Sequence, residues 1–231
     1  MDISFIMVEP AVPENIGASA RAIKTMGFNN LCLVNPSDYP HKKAHILAHG
    51  STDVLDNGIL YHRFNDVRED FDFLIATSAK RRRTNENYLP AEELSGYLIE
   101  RASSIDKAGI VFGREESGLT NEEIKKCDLI TYVSLANPYP SLNLSQAVMI
   151  YAYLLSVITR KTSPNKKSAQ LPEKNLQVLK HKVKELLELI DIKQPHIIGP
   201  RIMERISFLK KEDISILHSI SNAIYSKMNR K

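Results

Sequence analysis

Five short apolar runs, Ile3–Val8, Leu31–Val34, Phe73–Thr77, Ile110–Phe112 and Leu129–Val133, recur through residues 1–160, with helix-length stretches between them. Such runs are mostly continuous rather than alternating, as expected of strands covered on both faces. Parallel strands need long crossover connections, and helices between them supply those. The alternation therefore dictates an α/β fold with an open, mostly parallel sheet and helices on both faces. A weaker strand is expected near Ile59–His62. Helices are expected over Glu14–Met26, Lys43–His49, Ala91–Ser103, Asn121–Cys127 and Asn143–Arg160. The last of these is apolar almost all round, so it needs burial on most sides, and a second subunit is one way to provide it.

The pattern changes after Arg160. Residues 161–172 are polar and bounded by proline, which reads as a linker. Residues 173–231 read as a small helical extension, with helices at Glu173–Ile190, Arg201–Leu209 and Ser215–Lys227. Leu176, Leu179, Val183, Leu186, Leu187 and Ile190 mark one face of the first. Charge follows the same division. Residues 1–160 hold 16 Lys+Arg against 20 Asp+Glu, whereas 161–231 hold 15 against 7. An acidic body with a basic tail points to a polyanion partner, with a solvated lysine-rich face as the even alternative.

Other classes are disfavoured. No run of eighteen apolar residues offers a membrane span, and the N-terminus lacks the features of a signal peptide. The two cysteines, Cys32 and Cys127, form no CxxC, which fits a reduced, cytoplasmic protein. Cys32 lies in an apolar run and is expected in the core. His45 and His49 stand four apart but lack a third ligand, so no metal is expected.

Four stretches carry chemistry. In GIVFGREESGLTNEE, Gly109 to Glu123, a strand runs into a turn of Gly113-Arg114-Glu115-Glu116-Ser117-Gly118. A phosphate loop would need Lys-Ser/Thr where Leu119-Thr120 stand, and G-x-G-x-x-G is absent. Carboxylates there repel a pyrophosphate but tolerate a neutral or cationic ligand. Thr120 and Glu123 have the spacing of a capping box. Taken alone, the turn is as easily an ordinary charged surface turn. Pro13 to Gly27 places Asn15 and Arg21 among small residues that let another backbone approach. Six residues apart, these side chains diverge unless Asn15 caps the helix. Ala136 to Ala147 is a proline-stiffened loop feeding the apolar helix through Ser141 or Asn143 as cap. Thr77-Ser78-Ala79 leads into four cations, Lys80 to Arg83, either a solvated loop or a phosphate clamp.

The order of these stretches carries more than each alone. P-E-N-I-G-A-S-A-R-A-I-K-T-M-G-F, V-F-G-R-E-E-S-G-L-T-N-E-E and S-L-N-L-S-Q-A-V resemble the three motifs of the SpoU (TrmH) branch of the SPOUT RNA 2′-O-methyltransferases. The likeness covers residues 1–160. With T-S-A-K-R-R-R and the basic tail, the chain is similar to the TrmJ-type tRNA (cytidine/uridine-2′-O)-methyltransferases. That resemblance implies the SPOUT (alpha/beta knot) fold with a C-terminal trefoil knot. It also implies a homodimer packed through the Asn143 helix, tRNA as substrate and no metal. The cofactor would be S-adenosyl-L-methionine, lined by Thr77, Ser78, Ala79, Gly113, Leu135, Ser141, Leu142 and Asn143. A sulfonium with an adenosine suits a glycine turn bearing carboxylates.

The same resemblance implies that Arg21, Asn15, Glu115 and Asn143 serve catalysis, Glu115 by ordering the site through hydrogen bonds. Arg21 is the family's catalytic arginine. A guanidinium with a pKa above about 12 is a poor base, so Arg21 is read as a clamp on the target phosphate that steadies a developing alkoxide. Arg82 matches a second family arginine and, with Arg21, Arg83 and Arg114, would hold RNA. Pro140 departs from the small or polar residue often found before Ser141. A ribosomal RNA substrate is the alternative within the same class. A non-catalytic RNA-binding protein is the alternative outside it, against which the intact Arg21, Glu115 and Asn143 argue.

Overall fold

The computed structural model describes residues 1–79, 88–137, 141–161, 176–189, 198–207, 209 and 211–228. Arg82, Arg83 and the rest of the basic loop, Pro140, Ile190 and all but the first residue of the linker 161–172 lie outside the described residues.

Residues 2–99 and 107–165 form one compact unit. Its seven strands are β1 (Asp2–Val8), β2 (Asn30–Val34), β3 (Ile59–Tyr61), β4 (Phe73–Thr77), β5 (Tyr88–Pro90), β6 (Lys107–Phe112) and β7 (Leu129–Tyr132). They lie in the order β3-β2-β1-β6-β4-β7-β5, and every pairing is parallel. The connections carry α1 (Pro13–Thr25), α2 (Lys42–Ala48), α3 (Thr52–Asp56), α4 (Phe64–Asp70), α5 (Ala91–Arg101) and α6 (Asn121–Lys125), and α7 (Leu144–Lys161) follows β7. The expected α/β class with a parallel sheet is thus the observed one. Apart from the first residue of each, β1 and β6 are buried throughout, which is what continuous apolar runs require of central strands.

Three elements were not anticipated. Strand β5 is three residues long and ends on Pro90, a residue that argues against a strand. It lies at the edge of the sheet, where a missing N–H removes no ladder bond. Helices α3 and α4 span five and seven residues and, unlike the equally short α2 and α6, have no side-chain cap to mark their start.

An aromatic series runs through this core. Phe5 meets Phe28 edge-on at 5.3 Å and Phe112 in a stack at 6.3 Å, and Phe112 meets Tyr151 of α7 edge-on at 5.5 Å. Cys32 is in the core as expected, and burial pushes its thiol pKa up to about 12. The small residues of α1 have a structural use: a Cβ on Gly17 would collide with the backbone carbonyl of Ala44, so α1 and α2 touch backbone to backbone there. Helix α7 buries Val148, Tyr151, Ala152 and Leu155, while Met149, Tyr153 and Val157, four residues apart, stay exposed.

The second unit comprises Met1, residues 100–106 and 166–231. It contains α8 (Leu176–Leu189), α9 (Ile198–Ser207) and α10 (Lys211–Met228), with α8 packed on both others. Leu176, Leu179 and Leu186 are buried, in keeping with the face read from the sequence.

The close approach at Gly17 gives a direct test of the α1–α2 packing. Gly17→Ala adds one methyl group where no space exists and should destabilise the chain by about 1–3 kcal/mol. Urea unfolding checks this, and a midpoint equal to wild type would mean that the two helices separate freely.

Candidate active site

Strands β6, β4 and β7 are neighbours in the sheet, so the loops at their carboxyl ends gather on one side. Ligands of open α/β sheets bind in such crevices. The loops enclose a cavity of about 500 Å³. Thr77 ends β4 and Ser78 and Ala79 follow it, Gly113 to Leu119 follow β6, and Val133, Leu135, Ser141 and Leu142 follow β7. Phe112, Ile124, Leu144, Ala147 and Tyr151 supply apolar surface. Among the expected cofactor residues, Thr77, Ser78, Ala79, Gly113, Leu135, Ser141 and Leu142 all line this one cavity. Asn143 does not line it. Sequence reasoning also missed Leu144, Ala147 and Tyr151. Their spacing of three and then four residues marks one face of α7, the signal that could have found them.

The turn after β6 can be made only with glycine at its first position. A Cβ on Gly113 would strike the carbonyl carbon of Gly118 and the nitrogen of Leu119. Arg114 and Gly118 close the turn with reciprocal backbone hydrogen bonds. The Arg114 side chain then crosses outward. Its Nε donates to Glu9 Oε2 at 2.8 Å, and Nη1 and Nη2 donate to the two oxygens of Glu123, each at 3.1 Å. Glu9 and then Glu123 raise the guanidinium pKa further. Glu123 also completes the expected capping box with Thr120. Two carboxylates thus neutralise the arginine of the turn, which leaves Glu115 and Glu116 to set its charge.

Glu115 turns toward the N-terminus of α1. Its carboxylate accepts from Asn15 Nδ2 at 2.9 Å and from the backbone N–H groups of Ala11 and Val12 at 3.1 and 3.3 Å. Asn15 Oδ1 accepts in turn from Asn143 Nδ2 at 3.0 Å. Asn143 Oδ1 accepts from the backbone N–H and hydroxyl of Ser145, and Gln146 Oε1 accepts the Asn143 N–H. A carboxylate at one end accepts only, and a backbone N–H at the other donates only, so both amides have one orientation. Asn143 is therefore the cap of α7 and a link to Asn15 at once. Asn15 caps nothing: α1 begins at Pro13, and Asn15 sits buried in the first turn. Burial alone would raise the Glu115 carboxyl, but the bonds from Asn15, Ala11 and Val12 outweigh it and hold the pKa below 4.5.

The structure thus brings Asn15, Glu115 and Asn143 into one chain of hydrogen bonds, and it leaves Arg21 out. Arg21 lies on α1 outside the cavity lining, exposed, with no hydrogen-bond partner among the described residues. Arg82 and Arg83 fall outside the described residues. Among the described residues no group of three or more His, Cys, Asp or Glu could hold a metal ion, and no helix is long and apolar enough to cross a membrane.

Comparison with known proteins shows the family. Residues 2–153 match the SpoU rRNA Methylase family, and residues 173–228 match the C-terminal domain of tRNA/rRNA methyltransferase LasT. The chain belongs to the SpoU methylase family, and with it to the S-adenosyl-L-methionine-dependent RNA methyltransferases. It is 38% identical over 224 residues to the uncharacterised tRNA/rRNA methyltransferase LasT of Escherichia coli, covering 97% of each chain. It is 34% identical over 207 residues to the tRNA (cytidine-2′-O-)-methyltransferase TrmJ of Methanocaldococcus jannaschii, covering 81% of this chain and 88% of the other. The crystal structure of TrmJ from Z. mobilis ZM4 superposes with a TM-score of 0.69 at 23% identity, covering 97% of this chain and 100% of the other, a likeness of fold.

The chain of hydrogen bonds makes a testable claim about the loop at residues 11–12. Glu115→Gln replaces one acceptor oxygen by a donor facing three donors, a mismatch of about 1–3 kcal/mol. Hydrogen exchange at the Ala11 and Val12 amides should accelerate about tenfold. Glu115 and Glu123 both have folded pKa values lowered from 4.5, so their contribution is complete above that value and lost as pH falls through the folded ones. Wild-type protection, corrected for intrinsic exchange, should fall with pH below about 4.5, and the Gln variant should lack that part of the fall. Unchanged amide exchange in the variant would remove Glu115 from this role.

Proposed function

We propose that this protein methylates the ribose 2′-hydroxyl of a tRNA nucleotide, a cytidine or uridine at the first position of the anticodon loop. The observation that carries the reading is the acidic glycine turn, tied through Glu115, Asn15 and Asn143 to α1 and α7, above a cavity with an apolar floor. That donor set fits S-adenosyl-L-methionine: backbone groups from three loops, carboxylates in place of a phosphate clamp, and room for a nucleoside. The M. jannaschii TrmJ relative supports tRNA as the substrate class, and the tail matches the C-terminal domain of a tRNA/rRNA methyltransferase. The name of the family matched by residues 2–153 favours ribosomal RNA as the second reading.

When bound, the cofactor supplies an electrophilic methyl carbon on a sulfonium. The residues of this chain do the rest by position. Phe112, Leu119, Leu144 and Tyr151 give the cavity apolar surface that would exclude water around a bound cofactor. Glu115 fixes the turn against α1, so that the acceptor ribose and the cavity keep one geometry. Arg21 holds the phosphate of the target nucleotide and steadies the developing negative charge on its ribose oxygen. Arg82 and Arg83 hold RNA in the same reading, whereas the Arg114 guanidinium, expected there too, is taken up by Glu9 and Glu123. Within this reading, residues 1–160 are the catalytic domain, threaded as a trefoil knot, and 173–231 the tRNA-binding extension joined by the linker. The exposed stripe of Met149, Tyr153 and Val157 on α7 is the surface through which two copies form a homodimer.

Two experiments test this. Transfer RNA incubated with pure protein and labelled cofactor should yield a labelled 2′-O-methylated pyrimidine nucleoside on mass spectrometry. Arg21→Ala should lower turnover about 100-fold or more while calorimetry shows near-normal cofactor affinity, since Arg21 lies outside the cavity. Label in ribosomal RNA alone selects the second reading, and loss of cofactor binding in Arg21→Ala moves that residue into the pocket.

Removing residues 161–231 should weaken tRNA binding far more than cofactor binding, because the tail carries the positive charge. For every phosphate that the truncated protein no longer neutralises, the salt slope of binding should shrink by about one unit. An unchanged affinity and slope in a dimeric truncation would show that the tail does not bind RNA.

A further inference from the structure

Helix α10 reverses the usual amphipathic plan. Its buried positions include His218 and Ser221 beside Ile214. Its bonds with α8 are polar: Tyr225 Oη donates to Glu185 Oε2 at 2.6 Å, and Lys182 Nζ donates to Asn222 Oδ1 at 3.0 Å. Meanwhile Ile216, Ile220 and Ile224 are 57%, 48% and 40% exposed. With 3.6 residues per turn, Asp213, Ile216, Ile220, Ile224 and Lys227 fall within roughly 80° of arc. Three isoleucines in a row, flanked by one acid and one base, form a single exposed seam.

We propose that this seam is an interface with a second copy of the chain, in which two α10 helices pair antiparallel about a dyad at Ile220. The charges choose both occupant and direction. The seam holds no cation between its ends, so it offers an RNA nothing to bind. Ile216 and Ile224 stand four residues either side of Ile220, and Asp213 and Lys227 seven either side. An antiparallel pair therefore sets Ile216 against Ile224 of the partner subunit, Ile220 against itself, and Asp213 against Lys227 of the partner subunit, twice. A parallel pair would set acid on acid and base on base. Asp213 and Lys227 are both exposed and have no ion-pair partner among the described residues, so each is available. Such self-complementarity is what a two-fold interface requires. Three isoleucines per helix bury far less than the roughly 1,000 Å² of an independent interface. The pairing therefore rests on the homodimer proposed through α7, which holds the two extensions at high effective concentration. Its consequence is functional: two basic extensions joined at α10 present one continuous cationic surface rather than two separate ones.

Cysteine cross-linking of the full chain tests this. Ile220→Cys treated with a short bis-maleimide should give a covalent dimer in high yield, with wild type as the control for Cys32 and Cys127. Ile216→Cys and Ile224→Cys, co-expressed, should cross-link several-fold better together than either does alone. Sedimentation at the same concentration separates the two dimer claims. A dimer in which Ile220→Cys does not cross-link overturns the α10 pairing alone. A monomer overturns the α7 reading and the pairing with it. Strong Ile216 self-linkage means a parallel arrangement and overturns the antiparallel pairing. If Ile220→Asp lowers tRNA affinity in a protein that never cross-links, the seam is an RNA-binding surface and the proposal is wrong.

Discussion

The Glu115 carboxylate meets three donors from a distant part of the chain, the amides of Ala11 and Val12 and the side chain of Asn15. Hydrogen bonds to a charged acceptor are worth about 1.5–3 kcal/mol when sheltered, and the solvent at this half-buried site reduces that. Their value lies in what they join. The turn after β6, the start of α1 and, through Asn143, the start of α7 become one body. Arg114 adds a second tie to the same region through Glu9. The cavity walls are loops, and loops keep a fixed geometry only when their polar groups are satisfied against a rigid scaffold.

The electrostatics follow from how those ties are made. Arg114 is matched by Glu9 and Glu123, so the turn presents no spare positive charge to attract a pyrophosphate. Carboxylates in a strand–turn–helix site suit the family's cofactor, which is a cation with an adenosine rather than a polyphosphate. The cation in the cavity lining, Arg114, is matched by two carboxylates, while Arg21 is exposed outside that lining and residues 161–231 carry the excess of Lys and Arg. A protein of this family meets a cationic cofactor and a polyanionic RNA, and the charge of the turn suits the first.

The sheet is legible in the sequence because central strands of a parallel sheet are continuous apolar runs, and β1, β2, β4, β6 and β7 all have them. Strand β5 and helix α4 are hidden, one too short and ended by proline, the other short and without a side-chain cap. Of the cavity lining, Gly113, Ser141 and Leu142 are readable from the order of three motifs and Thr77 to Ala79 from the T-S-A-K-R-R-R loop. The relay is not, since a bond between Asn15 and Asn143 crosses 128 residues and no local spacing encodes it. Asn15 and Arg21, about 120° apart around α1, diverge as their spacing demands. The helix nevertheless starts before Asn15, because Pro13 is suited to a first helical position. The partners of Arg114 cannot be assigned from sequence, because only the fold shows Glu9 and Glu123 converging on it.

The central claim is that the Asn15–Glu115 bond shapes the cofactor pocket as a unit, although Asn15 does not line the cavity. A double-mutant cycle of Asn15→Ala and Glu115→Ala, read as S-adenosyl-L-methionine affinity by calorimetry, tests it most directly. Residues acting through one bond should show strong coupling, with the double variant losing little more than the worse single one. Losses that add would mean that the two residues act separately, and the account of the site would be wrong.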